Sequence, residues 1–307
     1  MAKAIFTFVL ILAEFLSTCT HAQKKDFQAL NGLYLGQKPP GKKPCLFAPE
    51  IMNAEMGYHS SIVFSPDLKE AVWRSMDKNE GKILYSKLID GMWTNPESKD
   101  FGIDEGILDP IFSVDGKTIY FLSFKPDIDG KNKRERIWYC DRTKIGWSDA
   151  KLIDKVVYDH PTHWTFSLAK NGTIYFMSEI DEAIGDQNIY YALFDGTKYF
   201  SPVNIGSSVN SDTKDFTPYI DPDESYLIFS RLGENTRKSD LYISFRQKDG
   251  KWSDALDMGP VVNSDTHDLA PYVSPDGKYL FFISQREKQN AIMWMSAGII
   301  EELRPKE

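Results

Sequence analysis

The sequence predicts an all-β protein: a β-propeller whose blades are four-stranded antiparallel sheets. Three observations predict it. A hairpin signature recurs along the chain, two further strand-like segments follow each copy, and the copies succeed one another without an intervening linker. Self-similarity at a period of about 50 residues is typical of repeat folds. Four strands per repeat, arranged radially, describe a propeller blade.

The hairpin signature joins two β-like runs through a polar turn that contains Asp or Asn, followed by Gly in three of the five copies. Asp-Gly and Asn-Gly supply the positive φ angles that a tight hairpin requires. Five copies predict five blades. The turn residues, which recur every 48 to 56 residues, are Asp67, Asp115, Asn171, Asp223 and Asp276.

The strands of each unit differ in length and composition. The second strands, such as TIYFLS, TIYFMS and YLFFIS, are rich in the aromatic and β-branched residues of buried strands. Third strands such as RIWYCDR and DLYISFR come next, and shorter fourth strands lie near segments such as KWSDALDMG. A β-sandwich is the alternative, and the similarity across all four strands of the unit argues against it.

The ring also has to close. Residues 47–51 resemble a fourth strand without the three strands that should precede it. We expect this strand to complete the last blade, because such closure removes an exposed sheet edge. Six blades is the alternative, since residues 297–305 (AGIIEELRP) offer a last blade a fourth strand of its own.

Two segments carry a family resemblance. DFTPYIDPD and DLAPYVSPDG open the clearest copies, residues 215–259 and 268–295, and the pattern continues with Asp-Leu-Tyr and Gly-Lys-Trp-Ser. This pattern resembles the TolB-like (WD-repeat-like) propeller family of exported bacterial proteins, from about residue 55 to the C-terminus. The resemblance implies the fold, and it favours six blades over five. It implies no particular activity, because propellers host unrelated functions.

Composition limits the partners. The net charge of −8 and the pI of about 5.3 argue against nucleic acid or an anionic membrane, since both require a basic face. With 307 residues, of which 42% are hydrophobic, the chain can bury a large core. We assign residues 45–307 to a single propeller domain.

The N-terminus predicts export. Residues 1–22 form a signal peptide with Lys3, an apolar stretch too short to span a bilayer, and small residues before the cleavage point. Residues 23–44 form a Pro/Gly/Lys-rich linker, and the mature chain has no transmembrane span. We expect a periplasmic or secreted protein, with a lipoprotein anchored through Cys19 as the alternative. Cys45 and Cys140 remain either as a disulfide or as two free thiols.

The first strand of each blade lines the channel of a propeller, so polar residues where these strands begin are candidates for a functional site. Neutral His and carboxylate side chains are common metal ligands and common general acids or bases. The catalytic or metal-binding candidates are His59, His163 and Asp109. Further binding candidates are Glu105 beside Asp104, His160, Asp215 and Asp268. For the last two, hydrogen bonding to neighbouring backbone is the structural alternative.

A second set of candidates follows the second strands, where loops to the third strands begin. Polar, Gly-containing loops at such positions often bind ligands, although a solvated loop explains them equally simply. These residues are Arg74, Glu179, Arg231 and Arg286.

No Ser-His-Asp signature, nucleophile elbow or phosphate loop is evident in the sequence. We therefore expect a non-enzymatic binding module of the cell envelope, whose partner is an envelope protein or a polysaccharide. The alternative is a carbohydrate-active enzyme, a lyase or hydrolase with a His/carboxylate site at the channel mouth. No cofactor is predicted, and a divalent metal is left open.

Overall fold

The structure is a computed structural model that describes residues 30–52, 61–77, 80–99, 101–103, 106–125, 135–160, 162, 164–179, 187–287 and 289–306. Its strands form five antiparallel sheets, which are the five blades of a β-propeller. The predicted fold class and blade number are therefore confirmed.

Blades 1 and 2 each contain four strands in sequential order and one additional short strand that pairs with the third. Blade 1 comprises β2 (Val63–Phe64), β3 (Glu70–Asp77), β4 (Glu80–Ile89), β5 (Met92–Trp93) and β6 (Glu97–Ser98). Blade 2 comprises β7 (Ile107–Phe112), β8 (Thr118–Ser123), β9 (Arg136–Thr143), β10 (Gly146–Trp147) and β11 (Lys151–Leu152).

Blades 3, 4 and 5 are four-stranded. Blade 3 comprises β12 (Phe166–Leu168), β13 (Ile174–Ser178), β14 (Asn188–Ala192) and β15 (Val203–Asn204). Blade 4 comprises β16 (Asp215–Ile220), β17 (Tyr226–Leu232), β18 (Ser239–Phe245) and β19 (Leu256–Asp257). Blade 5 comprises β20 (Asp268–Val273), β21 (Tyr279–Ser284), β22 (Ala291–Ser296) and, from the N-terminal part of the chain, β1 (Cys45–Leu46).

Strand β1 closes the ring, but not with the residues expected. The prediction placed the closing strand at residues 47–51, whereas Cys45 and Leu46 pair with Trp294 and Met293 of β22. The chain leaves the sheet directly afterwards because Ala48 has a φ of +44°, and residues 48–52 form a turn.

The alternative of six blades is wrong. Residues 297–305 do not form a strand, since Gly298–Leu303 is a short helix, α2. A second short helix, α1, spans Lys155–Tyr158. Both are too short to show helical periodicity in the sequence. No helix among the described residues is long and apolar enough to cross a membrane.

Part of the segment interpreted as a linker packs against the ring. Asn31 forms a bridge with Met92 at the outer edge of blade 1, and the indole Nε1 of Trp93 donates to the carbonyl of Gly32 at 2.8 Å. A 3₁₀ turn at Tyr34–Gly36 then buries Tyr34 and Leu35 between blades 1 and 5. Cys45 and Cys140 are free thiols, exposed and buried respectively.

The inner strands of three blades carry the same irregularity. In blades 2, 4 and 5, pairing with the second strand shifts around a residue that directly precedes a proline. These residues, Asp109, Thr217 and Ala270, have φ angles of 47°, 49° and 53°. The bulge is thus a repeated property of the fold, and the residue type at its apex varies from blade to blade.

A candidate ligand site in the central channel

A cavity of about 150 Å³ lies on the axis of the ring, and the first strands or first turns of all five blades line it. Its walls are mainly apolar, with the side chains of Phe64, Ile111 and Tyr272 among them. Pro66 and Pro275, which lie in the first turns of blades 1 and 5, also line it and are exposed. The cavity therefore opens on the side of the ring formed by these turns, which we call the turn face.

The inner end of the cavity is polar. Ser61, Asp109 and Thr165 occupy one equivalent position in the inner strands of blades 1, 2 and 3. Each lies two residues before a residue that pairs with the second strand, and these pairs are Val63 with Val72, Ile111 with Tyr120, and Ser167 with Tyr175. Asp109 is 3% exposed and Ser61 is 6% exposed. Among the described residues, the hydroxyl of Ser61 is buried without a hydrogen-bond partner. A buried polar group of this kind calls for an explanation, such as a ligand or water.

Blades 4 and 5 satisfy their own polar atoms at this level. The equivalent residues are Thr217 and Ala270, and the hydroxyl of Thr217 lies 2.6 Å from that of Ser230. The amide of Ala270 donates to both hydroxyls, at 3.3 Å and 3.2 Å. The open polar end of the cavity therefore belongs to blades 1 to 3, and Asp109 is the one ionisable residue of this ring of five positions.

Two further charged groups, Arg74 and Glu135, are linked to Asp109 because Arg74 interacts with both carboxylates. The second strands of blades 1, 2, 3 and 5 each contain a Ser near their end. In blade 1 the residue before this Ser is Arg74, whereas in blades 2, 3 and 5 it is Leu122, Met177 and Ile283. Burial lowers the pKa of the Arg74 guanidinium, and the nearby carboxylates of Asp109 and Glu135 act in the opposite direction. A cation thus replaces an apolar side chain in the blade that faces Asp109.

Glu135 belongs to the segment that leads into β9, and it is 7% exposed. Its Oε2 accepts a 2.9 Å hydrogen bond from the amide of Trp164 at the start of the blade 3 inner strand. Burial raises the pKa of Glu135 to about 7, although this hydrogen bond and Arg74 both counteract the rise. Arg74, Asp109 and Glu135 form what we call the channel cluster.

Of the channel cluster, Asp109 lines the cavity and can accept hydrogen bonds from a ligand there, whereas Arg74 and Glu135 do not line it. Asp109 presents a carboxylate at the inner end of the cavity, beside the hydroxyl groups of Ser61 and Thr165. Glu135 has the pKa that suits a general acid or base at neutral pH. The arrangement is thus suited to binding a ligand with several donors, and it contains the groups that proton transfer requires.

The structure brings only some of the predicted residues together. Asp109 and Arg74 meet in the channel cluster. His160 lies half-buried just after α1, and Glu179 is exposed and accepts from Gln187 at 3.2 Å. The predicted residues His59, His163 and Glu105, together with Asp104, lie outside the described residues. The proposed sharing of a metal by His59, His163 and Asp109 therefore stays a hypothesis.

Asp215 and Asp268 bind arginines of their own blades. Arg231 Nε donates to Asp215 at 2.7 Å, and Arg286 Nη2 donates to Asp268 at 2.8 Å. Each arginine also donates to a backbone carbonyl near the end of the preceding blade, that of Val209 or Val262. Both aspartates are fully buried, so these pairs connect successive blades. Among the described residues there is no group of three or more His, Cys, Asp or Glu side chains placed to hold a metal ion.

Sequence reasoning missed Glu135, Ser61 and Thr165. For the last two a signal existed, because aligning the inner strands on Asp109 identifies the same position in the other blades. Glu135 gives a weaker signal: it precedes a third strand at a position where blades 3 to 5 have Gln187, Ser239 and Asn290.

No protein-family model matches the chain, and no curated protein matches it in sequence. Solved structures do match. TolB from Acinetobacter baumannii is 15% identical with a TM-score of 0.51, over 78% of this chain and 52% of that chain. A putative TolB from Agrobacterium tumefaciens is 19% identical with a TM-score of 0.50, over 74% of this chain and 70% of that chain.

An endo-arabinase from Bacteroides thetaiotaomicron VPI-5482 is 12% identical with a TM-score of 0.50, over 90% of this chain and 98% of that chain. The chain has the propeller fold of these proteins. At such identities the likeness shows the fold alone. The TolB-like resemblance therefore holds as a distant structural similarity, which propellers of other functions share, and the propeller spans about half the length of the Acinetobacter TolB that it matches.

Proposed function

We propose that this propeller is an exported, non-enzymatic binding module of the cell envelope that holds its ligand or partner in the central channel, entered from the turn face. The observation that carries the proposal is the cavity with apolar walls and a polar inner end, to which all five blades contribute. Ligand sites are typically concave and largely apolar, with a few polar groups that fix orientation. Export rests on the predicted signal peptide.

The experiment is capture of envelope components by the immobilised mature chain, compared with a variant whose channel is blocked. Val114→Trp places a large ring at the mouth, since Val114 lines the cavity in the first turn of blade 2 and is partly exposed. Ile145→Trp is the matched control, because Ile145 is fully exposed and does not line the cavity. We expect the wild type and the control to retain a protein or glycan that Val114→Trp loses. Capture that is equal in all three proteins would contradict channel binding.

A second candidate is a polysaccharide hydrolase or lyase, and the channel cluster favours it. Two buried carboxylates, Asp109 and Glu135, lie near one arginine, and the raised pKa of Glu135 resembles that of a general acid. Glycosidases use a pair of carboxylates in this way. The endo-arabinase of similar fold makes arabinan the first substrate to try.

The two candidates are separated by measuring the release of reducing ends, or of unsaturated sugars, from arabinan and other envelope polysaccharides. Turnover by the wild type that Glu135→Gln abolishes at an unchanged melting temperature would establish the enzyme and overturn the non-enzymatic module. Binding through the channel without turnover is the result expected of the module.

A further inference from the structure

We propose that the channel takes a ligand with a primary ammonium group on an aromatic or short aliphatic body, with the ammonium at Asp109 and the apolar body toward the turn face. The inference rests on the proposed channel binding and adds the chemistry of the ligand. Three features of the cavity support it: its size, its apolar walls and the hydrogen-bond acceptors at its inner end.

The size of the cavity limits the apolar body. At about 150 Å³ it has room for a single benzene-sized group. The hydroxyl of Tyr272 accepts from the amide of Phe64 at 3.2 Å and donates to its carbonyl at 3.3 Å, so this polar atom is already engaged with the backbone. The aromatic rings of Tyr272 and Phe64 therefore offer an apolar wall, and aromatic faces also attract cations.

The inner end offers acceptors to a donor-rich group. Asp109 supplies a carboxylate, and Ser61 supplies a hydroxyl that is nine-tenths buried, lines the cavity and has no hydrogen-bond partner among the described residues. Thr165 adds a second hydroxyl. A primary ammonium has three N–H donors and no acceptor, so it suits a cavity end lined by one carboxylate residue and two hydroxyl residues.

The charge of the site favours a cation over an anion. The channel cluster contains one cation, Arg74, and two carboxyl groups. Its net charge is therefore zero when Glu135 is protonated and negative when Glu135 is ionised. A carboxylate or phosphate ligand would meet the like charge of Asp109 in a buried site, and such repulsion is costly. A neutral hydroxyl ligand would satisfy fewer of the acceptors.

The test uses four probes of one shape, namely benzylammonium, benzyl alcohol, toluene and benzoate, with binding to the mature chain measured by calorimetry or ligand-observed NMR. We expect benzylammonium to bind about tenfold or more tightly than benzyl alcohol, since a hydrogen bond between two charged groups exceeds one in which only the acceptor is charged. Benzoate should bind most weakly. Val114→Trp should abolish binding of all the probes, whereas Ile145→Trp should not.

Asp109→Asn tests the acceptor directly. Asn has nearly the same shape and tolerates the positive φ of this position, so the variant should fold. We expect it to lose about tenfold or more of its affinity for benzylammonium and to bind benzyl alcohol within about twofold of the wild type. Ser61→Ala should also lower the affinity for benzylammonium. A melting curve for each variant verifies that it folds.

The outcomes separate the two proposals. If benzyl alcohol or toluene binds as well as benzylammonium, or if Asp109→Asn leaves the preference intact, the ammonium inference is wrong while channel binding stands. If no probe binds but envelope capture still depends on an open channel, the inference again fails alone. If neither probes nor envelope components depend on an open channel, both proposals fail.

Discussion

The hydroxyl of Tyr34 donates a 2.6 Å hydrogen bond to Oδ1 of Asp276, joining a segment that precedes the ring to the first turn of the last blade. The Tyr34 ring is buried and meets the rings of Phe64 and Tyr279 edge-on, with centroids 5.1 Å and 5.0 Å apart. Burial raises the pKa of Tyr34 far above its usual value, so the phenol remains a donor at all physiological pH values. Asp276 therefore anchors the N-terminal segment as well as shaping its own hairpin.

Tyr34→Phe should lower the free energy of unfolding by about 1–2 kcal/mol, because it removes a hydrogen bond to an ionised acceptor and keeps the ring. Tyr34→Ala should cost about 3–5 kcal/mol, since the buried ring is lost as well. Urea unfolding at neutral pH measures both. A double-mutant cycle with Asp276→Asn isolates the contact, and a coupling energy near zero would show that the hydrogen bond contributes nothing.

The closing strand offers a matched pair of neighbouring residues. Phe47 is 1% exposed and contacts the rings of Phe281 and Trp294 at 5.2 Å and 5.1 Å, whereas Leu46 in β1 is 37% exposed. Phe47→Ala should destabilise the propeller by about 3–5 kcal/mol, and Leu46→Ala should cost well under 1 kcal/mol. Thermal melts of both variants provide the comparison.

Deleting all residues before Met56 removes β1 together with Tyr34 and Phe47, and leaves β22 as an unpaired edge. The loss should be several kcal/mol, a large share of the roughly 5–15 kcal/mol that stabilise a typical domain. A truncated protein with the melting temperature of the full chain would show that this segment does not hold the ring closed.

The blades were predictable from the sequence because their signals are local. Turn residues such as Asp115 and Asp276, and the aromatic strands that follow them, repeat within a single hairpin. The closing strand was predicted to begin two residues too late because its pairing with Trp294 and the turn at Ala48 depend on contacts across the whole chain.

The same difference between local signals and long-range contacts decides which residues of the candidate site could be predicted. Asp109 was predicted because it is a polar residue at the start of an inner strand, and Arg74 because it stands where a second strand leads into a loop. Glu135 was not, since a single acidic residue before a strand is unremarkable in sequence. Its raised pKa arises only when the fold buries it, and the hydrogen bond from the Trp164 amide of the next blade partly offsets that rise.

Gly277 in the turn of blade 5 should be structural. Its φ is +70°, and a Cβ atom there would meet nothing within 4 Å, so substitution costs backbone strain without a clash. Gly277→Val should therefore lower stability by about 1 kcal/mol or more and leave channel binding unchanged. Melting curves and a binding measurement on the same variant test this.

Substitutions at two other glycines provide a comparison for the Gly277→Val stability. Gly41 has ordinary φ and open space, so Gly41→Val should change stability little. Gly172 has a φ of +87°, and its Cβ would lie 2.7 Å from Cδ1 of Phe194, so Gly172→Val should cost more than Gly277→Val. Lost binding by Gly277→Val at an unchanged melting temperature would instead make the turn part of the site.

Glu135 should make stability depend on pH. Burial raises its pKa from 4.5 to about 7 in the folded chain. Between these values the folded state holds a proton that the unfolded state has released, so the free energy of unfolding falls as pH rises through this window. The fall attributable to Glu135 should reach about 3.5 kcal/mol at most, since each pKa unit corresponds to roughly 1.4 kcal/mol.

Glu135→Gln should remove this dependence, because the amide stays neutral and its oxygen can still accept from the Trp164 amide. Denaturant unfolding at pH 5, 6, 7 and 8 should show the stability of the wild type declining relative to Glu135→Gln, with most of the decline below pH 7. Asp215, whose pKa burial also raises, contributes equally to both proteins and cancels in the difference. Glu179→Gln, at an exposed carboxylate, should follow the wild type. Parallel curves for the wild type and Glu135→Gln would mean that Glu135 is ionised throughout this range, and the acid proposed for the hydrolase would be lost with it.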